Sequence, residues 1–156
     1  MGNGIAHVFA MNGYRVTLVD VSAPQLEKAI ATITKNLDRM VAKGSITEEV
    51  KNSTLQNLST NTALEACSQA DLVVEAATEN ADIKLKIFKQ LDEICKPQTL
   101  LASNTSSISI TRIGAATKRP DKVIGMHFMN PVPVMKLVEL IKGYATSEDC
   151  VKQIVT

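Results

Sequence analysis

Short apolar runs alternate with longer amphipathic stretches along this chain. The runs at residues 14–20, 71–77, 99–103 and 122–128 are rich in β-branched and other apolar residues, which predicts buried strands. Between these runs, apolar positions recur every three or four residues and predict helices. Strands that alternate with helices at such short spacing favour a mainly parallel sheet. We therefore expect an α/β, Rossmann-like, doubly wound fold.

The ends of the predicted helices carry characteristic residues. A short helix over residues 5–11 is followed by a long one that begins at a Ser22 cap and ends near Lys43. A further helix over residues 47–57 completes a helical hairpin, which we interpret as an insertion between two strands. Weaker patterns predict a short strand at 58–61 and a short helix at 62–68, and a further helix is predicted at 108–116. The helix after residue 80 carries one apolar face, formed by Ile83, Ile87, Phe88, Leu91 and Ile94.

Composition narrows the partners that we expect. The 156 residues fit one domain, and 17 basic and 16 acidic residues are mixed along the chain to a net charge of +1. With aromatic residues at 3%, neither nucleic acid nor a membrane is an expected partner, and the ligand should be small. Cys67, Cys95 and Cys150 match no disulfide framework or metal site, so we interpret them as reduced packing residues of a soluble cytoplasmic protein, or of a matrix protein if the source is eukaryotic.

Candidate ligand-binding residues follow the predicted strands, because ligands of open α/β sheets bind at the carboxyl ends of the strands. Asp20 could accept hydrogen bonds from the adenosine ribose of NAD and repel the 2′-phosphate of NADP; a helix cap is the alternative. Gly2 and Gly4 precede a helix, as in loops that hold a pyrophosphate. Residues 77–80 follow another strand. The polar run 103–107 could serve a ligand, or it could only cap a helix through Ser106 or Ser107.

His127 and Glu139 form the strongest candidate for catalysis. His127 ends a strand among apolar neighbours, where a hydrogen-bonded core histidine is the ordinary alternative. If residues 135–141 are extended, Met135, Leu137, Glu139 and Ile141 share one face, which would put a carboxylate into an apolar row. A buried carboxylate needs a partner, and an imidazole paired with a carboxylate suits general-base catalysis near neutral pH.

Several of these segments resemble the 3-hydroxyacyl-CoA dehydrogenases. Residues 1–10, MGNGIAHVFA, look like the second half of the family's glycine fingerprint, and residues 127–139, HFMNPVPVMKLVE, resemble its signature segment. Residues 71–80 and 103–110 are similar to its cofactor and substrate-loop segments. The likeness spans essentially the whole chain and departs mainly at Met129, where an aromatic residue is common.

The resemblance implies oxidation of L-3-hydroxyacyl-CoA to 3-ketoacyl-CoA with NAD and without a metal. It makes His127 the catalytic base and Glu139 the residue that orients it. It assigns cofactor binding to Gly2, Asp20, Glu79, Lys84, Ser106 and Asn130. Ser106 would also contact the substrate and Lys43 coenzyme A; the alternative for Lys84, and even more for Lys43, is a solvated helix lysine. The resemblance gives His7 no active role, and we interpret it as a surface or packing residue.

The family pattern also implies segments beyond these residues. A first strand with two earlier glycines would precede residue 1, and a helical C-terminal domain would close the cleft and form a homodimer. We therefore expect residues 1–156 to be an NAD-binding domain that binds NAD weakly and shows no turnover alone. Two alternatives remain, a sugar-acid (gulonate-type) NAD dehydrogenase of the same fold and a noncatalytic NAD-binding or structural descendant of the enzyme.

Overall fold

The computed structural model describes residues 2–77 and 79–155, so Thr78, in the predicted ligand-binding segment 77–80, lies outside the described residues. Helices and strands alternate as predicted. In chain order they are α1 (Gly2–Met11), β1 (Val16–Val19), α2 (Ala23–Ala42), α3 (Glu48–Gln56), β2 (Leu58–Asn61), β3 (Leu72–Glu75), α4 (Ala81–Ile94), β4 (Leu100–Ser103), α5 (Ile110–Ala115), β5 (Val123–Phe128), β6 (Val138–Lys142) and α6 (Glu148–Val155). Short 3₁₀ turns cover Leu64–Cys67 and Pro120–Lys122.

The strands form two sheets. In the first, β1 and β2 run parallel, with Val16 opposite Leu58. In the second, the order is β3-β4-β5-β6; the first three strands are parallel, and β6 runs antiparallel to β5. The mainly parallel pairing and the alternation with helices confirm the prediction of an α/β, Rossmann-like fold.

Residues 1–66 and 130–136 form one compact unit. Its core packs Ala6 of α1 against Ile33 and Leu37 of α2, with Val16 and Leu58 of the two strands beside them. The predicted helical hairpin is present. Ser22 Oγ caps α2 by accepting from the backbone N of Gln25 at 3.4 Å, and Thr47 Oγ1 caps α3 by accepting from the backbone N of Val50 at 3.2 Å. Gly44, with φ of +75°, follows the end of α2.

Residues 67–129 and 137–156 form the second unit. The side chains of Phe88, Leu91, Leu101, Ile113 and Ile124 are buried in it. Arg119 satisfies the carboxyl end of α4: its Nε pairs with Asp92 Oδ1 at 2.8 Å, and its terminal nitrogens donate to backbone carbonyls. These carbonyls belong to Asp92, Cys95, Lys96 and Thr99. The guanidinium of Arg119 therefore caps the carboxyl end of α4.

One predicted boundary was wrong and one element was missed. Helix α1 begins at Gly2 rather than at residue 5, so the glycines lie in its first turn. The short helix predicted over 62–68 is a 3₁₀ helix at Leu64–Cys67, and α6 was not predicted. Such short elements bury few side chains, so tertiary packing decides their form.

The cysteines are free, with Cys95 and Cys150 buried and Cys67 half-buried, which confirms that they are packing residues. Burial raises the pKa of all three thiols, that of Cys67 to about 11. Among the described residues, no helix is long and apolar enough to cross a bilayer.

Candidate functional site

The carboxyl ends of β3, β4 and β5 lie side by side in the second unit. The parallel register places Glu75 beside Ser103, and Ser103 beside Gly125. The loop after β4 is bonded to β5, because Asn104 Oδ1 accepts from the backbone N of Phe128 at 2.8 Å. His127 is the residue before Phe128. The predicted strand-end segment 103–107 and residues 127–129, which begin the segment 127–133, therefore meet at this edge of the sheet.

Glu79 is held at this edge by the loop after β4. Its Oε2 accepts from Thr105 Oγ1 and from Ser107 Oγ, each at 2.9 Å. Burial acts to raise the pKa of Glu79, but the hydrogen bonds from Thr105 and Ser107 and the nearby charge of Lys84 outweigh it, so the pKa lies below its ordinary value. Glu79 is thus an ionised carboxylate held by the loop that is bonded to β5.

His127 and Glu139 face each other directly across the antiparallel β5–β6 ladder. Directly opposed side chains on one face of a ladder are neighbours, so the predicted pair is brought together. The predicted apolar burial of Glu139 was wrong. Glu139 is exposed, and Met135, Leu137 and Ile141 are 44%, 61% and 36% exposed. Strand β6 begins only at Val138, and no described element covers this face closely enough to bury it.

Lys84 occupies the buried stripe of α4 together with Phe88 and Leu91, and it is 1% exposed. Its Nζ lies 2.8 Å from both carboxylate oxygens of Glu75. The interpretation of Lys84 as a solvated helix lysine was therefore wrong. Of the predicted apolar face, Phe88 and Leu91 are buried and Ile87 and Ile94 are half-buried, whereas Ile83 is 45% exposed.

Sequence reasoning missed the roles of Glu75 and Ser103. Ser103 Oγ donates to Glu75 Oε1 at 2.8 Å, and the backbone N of Ala77 donates to Glu75 Oε2 at 2.6 Å. A signal was present in the sequence. Glu75 ends an apolar strand, and Lys84 lies four and seven residues before Phe88 and Leu91, which is the spacing of one helix face.

The loop after β4 does not cap α5 through Ser106 or Ser107, as one alternative proposed. The N-cap of α5 is Ser109, whose Oγ accepts from the backbone N of Arg112 at 3.3 Å. Ser107 instead bonds to Glu79, and Ser106 is exposed. The side chain of Ser106 is thus accessible to a ligand.

In the first unit, Asp20 follows β1 and is exposed. Its Oδ1 accepts from the backbone N of Ser22 at 2.9 Å, but the N-cap of α2 is Ser22 itself. Asp20 therefore stabilises the turn before the helix without capping it, and Oδ2 accepts no hydrogen bond from the described residues. The free oxygen is an acceptor for the ribose hydroxyls of a dinucleotide. The N-terminal turn of α1 at Gly2 supplies backbone N–H donors for the pyrophosphate. The residues fit NAD.

Gly4 has a packing role within α1. A Cβ at Gly4 would lie 2.9 Å from Cβ of Val132 and 3.2 Å from its Cγ2. Only glycine allows the helix to approach the segment 130–136 this closely.

His7 and Asn130 line a pocket of about 140 Å³ in the same unit, together with Asn3, Gly4, Ile33, Asn36, Pro131, Val132 and Pro133. His7 is fully buried, so the surface interpretation was wrong and the packing interpretation is confirmed; within residues 2–77 and 79–155, neither ring nitrogen has a hydrogen-bond partner. Burial lowers the pKa of His7. Lys43 follows α2 as its C-cap and is exposed, which leaves both of its interpretations open.

The sequence model of the 3-hydroxyacyl-CoA dehydrogenase NAD binding domain matches residues 1–156. The chain belongs to this family. NAD is accordingly the cofactor of this domain. The 3-hydroxybutyryl-CoA dehydrogenase of Bradyrhizobium diazoefficiens is 52% identical over 148 residues, which are 95% of this chain and 50% of that protein. The 3-hydroxyadipyl-CoA dehydrogenase of Escherichia coli K12 is 49% identical over 154 residues, 99% of this chain and 32% of that protein.

Solved structures agree with this assignment. The crystal structure of 3-hydroxybutyryl-CoA dehydrogenase from Escherichia coli K12 superposes with a TM-score of 0.97 at 49% identity, over 99% of this chain and 33% of that chain. The (S)-3-hydroxybutyryl-CoA dehydrogenase of Ralstonia eutropha has a TM-score of 0.96 at 48% identity, over 99% of this chain and 54% of that chain. The chain thus spans about half or less of the length of these relatives.

Proposed function

We propose that the chain carries the cofactor-binding and proton-transfer residues of an L-3-hydroxyacyl-CoA dehydrogenase, which interconverts L-3-hydroxyacyl-CoA and 3-ketoacyl-CoA in acyl-CoA metabolism. The opposed His127–Glu139 pair at the carboxyl end of β5, in a chain of this family, carries the proposal. The names of the relatives, 3-hydroxybutyryl-CoA and 3-hydroxyadipyl-CoA dehydrogenase, support an acyl-CoA substrate.

His127 is the general base of the proposed reaction. It is half-buried and accepts the proton of the substrate hydroxyl, which makes the ring an imidazolium. NAD, when bound, accepts the hydride from the carbinol carbon. The carboxylate of Glu139 stabilises the imidazolium across the ladder. Two unit charges 4 Å apart attract by about 1 kcal/mol in bulk water and about 4 kcal/mol at an effective dielectric constant of 20, so this contribution grows as substrate excludes water from the exposed pair.

Each cofactor residue is assigned to the part of NAD that its functional groups can bind. Asp20 accepts from the ribose hydroxyls, and the N-terminal turn of α1 at Gly2 donates to the pyrophosphate. Glu79, Ser106 and Asn130 serve the nicotinamide side. For the substrate, we assign Ser106 to the acyl-CoA and the exposed Lys43 to coenzyme A.

An assay of the intact polypeptide that contains residues 1–156 tests this proposal. Formation of NADH is followed with L- and D-3-hydroxybutyryl-CoA, 3-hydroxyadipyl-CoA and L-gulonate. We expect NAD-dependent oxidation of the L-hydroxyacyl-CoA substrates only. Preferred oxidation of gulonate would establish the sugar-acid alternative, and NAD binding without any turnover would establish a noncatalytic descendant.

The same preparation tests two further parts of the proposal. Light scattering on the intact polypeptide is expected to give the mass of a homodimer. Fractionation of the source cell is expected to place the protein in the cytoplasm, since the relatives include bacterial enzymes. A monomeric mass or a membrane-bound fraction would contradict the respective part.

A further inference from the structure

Strand β5 carries His127 beyond the end of the neighbouring strand β4. The parallel register of the two strands ends where Ser103 of β4 lies beside Gly125 of β5. The last three residues of β5, which include His127, therefore extend past the last residue of β4. On the other side, β6 pairs with β5 as far as Phe128 and places Glu139 opposite His127. The β4–β5 ladder alone thus does not hold the part of β5 that carries the proposed base.

The side chain of Asn104 bonds to β5 just past this point. Its Oδ1 accepts from the backbone N of Phe128 at 2.8 Å. Only the oxygen of an amide group can accept this proton, so the contact fixes the direction in which the amide points. A strand N–H needs an acceptor, and the side-chain carbonyl takes the place of the backbone carbonyl that a longer β4 would provide. Asn104 therefore extends the support of β5 to the residue that follows His127.

The backbone of Asn104 is bonded to β3 at the same time. Its N donates to the backbone O of Glu75 at 2.8 Å, so this one residue joins three strands at the carboxyl edge of the sheet. The chain then leaves the sheet, and the loop directs the hydroxyls of Thr105 and Ser107 to Glu79. A longer β4 could support β5 in the same way but could not form this loop. A side-chain acceptor allows both.

The middle and the start of β5 are fixed independently of Asn104. A Cβ at Gly125 would lie 2.9 Å from Cβ of Ile141, so the strand is closely packed there. At the start of the strand, the backbone O of Val123 accepts from Thr146 Oγ1 at 2.6 Å. Loss of the Asn104 side chain should therefore displace the end of β5 and leave the rest of the strand in place.

We propose that Asn104 is a positioning residue for the general base: by holding Phe128, it fixes His127 at the end of β5 and so sets the distance between the imidazole and the substrate hydroxyl. The inference rests on the proposed function for the role of His127. A general base must lie within hydrogen-bond reach of the proton that it accepts, and a misplacement of about 1 Å can slow a reaction by roughly 10²-fold. Asn104 thus acts through the backbone of β5.

Asn104→Leu tests this proposal, because leucine has the same branched shape as asparagine but no acceptor. A methyl group cannot bond to the N–H of Phe128, so the end of β5 should move away from the loop. In the intact polypeptide, we expect kcat with L-3-hydroxybutyryl-CoA and NAD to fall by roughly 10- to 100-fold. The KM of the substrate and the affinity for NAD should change by less than about three-fold, since the effect is on the placement of the base.

Thr146→Val is the matched control, because it removes a side-chain bond to the other end of β5. Thr146 is 6% exposed, and its Oγ1 donates to the backbone O of Val123 and accepts from the backbone N of Gly143 at 2.8 Å. Both variants lose hydrogen bonds, so we expect both to lose thermal stability. Only Asn104→Leu should lower kcat. An equal loss of kcat in Thr146→Val would show that Asn104 only stabilises the fold, and it would overturn the proposal.

Asn104→Asp keeps an acceptor oxygen at this position and should therefore restore turnover. We expect its kcat, taken on the alkaline plateau of the pH profile, to lie within about three-fold of that of the unmodified protein. If Asn104→Leu does not fold, Asn104→Ala replaces it in the comparison with Asn104→Asp. An Asn104→Asp protein as slow as the variant without an acceptor would contradict the role of the Asn104 carbonyl.

The ring signals of His127 give a measurement that needs neither substrate nor cofactor. In NMR spectra of histidine-labelled protein, assigned through His127→Gln, Asn104→Leu should shift these signals and speed hydrogen exchange of the Phe128 amide. Thr146→Val should change neither. Unchanged His127 signals in Asn104→Leu would overturn the proposal, as would an unchanged kcat in an active protein. Because the spectra involve no acyl-CoA, they test the placement of His127 even if hydroxyacyl-CoA turnover, and with it the proposed function, is absent.

Discussion

Gly4→Ala tests whether close packing, rather than backbone freedom, requires glycine in the first turn of α1. The added Cβ would lie 2.9 Å from Cβ of Val132 and 3.6 Å from Cδ of Pro133. Carbon atoms in contact prefer about 3.5–4.0 Å, so the segment 130–136 must move by several tenths of an ångström. Val132 is 5% exposed, so a shift of this segment disturbs the side chains that pack around it.

Two effects of opposite sign set the magnitude. Alanine in a helix is favoured over glycine by about 1 kcal/mol, and overpacking costs roughly 1–3 kcal/mol. We expect a net loss of about 1–2 kcal/mol in the free energy of unfolding, since the clash is with the backbone-proximal Cβ of Val132 rather than with a flexible side-chain end. A loss of this size lowers the melting temperature of a domain of this length by roughly 2–8 °C.

Gly114→Ala in α5 is the matched control, because its Cβ would meet Cβ of Pro120 at an ordinary 3.5 Å. Urea unfolding should show Gly114→Ala as stable as the unmodified protein or more stable. Gly4→Ala should also weaken NAD binding, since Asn130 belongs to the displaced segment. A Gly4→Ala protein as stable as the Gly114→Ala protein would refute the packing argument.

Three further substitutions test other parts of the account. Asp20→Ser should reduce the ratio of kcat/KM with NAD to kcat/KM with NADP by roughly ten-fold or more. An unchanged ratio would show that Asp20 serves only to stabilise the turn at Ser22. Arg119→Met should cost roughly 3–5 kcal/mol in urea unfolding, because Asp92 and the carbonyls that end α4 lose their partner, whereas a loss below about 1 kcal/mol would show that water replaces it. Burial lowers the pKa of His7 from 6.5, so the unfolded chain binds its proton first and stability falls as the pH drops below 6.5. Between about pH 8 and about pH 5, the free energy of unfolding should therefore decrease less in His7→Leu than in the unmodified protein. An equal decrease in the two proteins would contradict the buried neutral state of His7.

The sequence predicted the elements whose apolar pattern is long or strong. The alternation of strands and helices and the cap at Ser22 all appear in the structure. The short helix α6 was missed, although Ser147 Oγ accepts from the backbone N of Cys150 at 3.0 Å and Cys150 is buried. Eight residues give too little periodicity to separate a helix from a loop.

The candidate site was predicted where its residues follow strands and was missed where it depends on tertiary contacts. Strand alternation put Glu139 on a defined face, and the ladder places it opposite His127, but periodicity carries no information on whether that face is covered. The partner of Lys84 could not be read locally, because Glu75 is nine residues away and Ser103 is 28 residues from Glu75. Only the parallel register of β3 and β4 brings these side chains together.

A double-mutant cycle on His127 and Glu139 tests the central claim most directly. The rate of hydride transfer to NAD from L-3-hydroxybutyryl-CoA is measured in the intact polypeptide for His127→Gln, Glu139→Gln and the double variant, with NAD affinity measured in parallel. We predict that His127→Gln slows the reaction by roughly 10²–10⁴-fold with NAD affinity little changed, and that the double variant is scarcely slower. Near-normal turnover of His127→Gln, or losses that multiply in the double variant, would contradict the claim that His127 is the general base and that Glu139 acts through it.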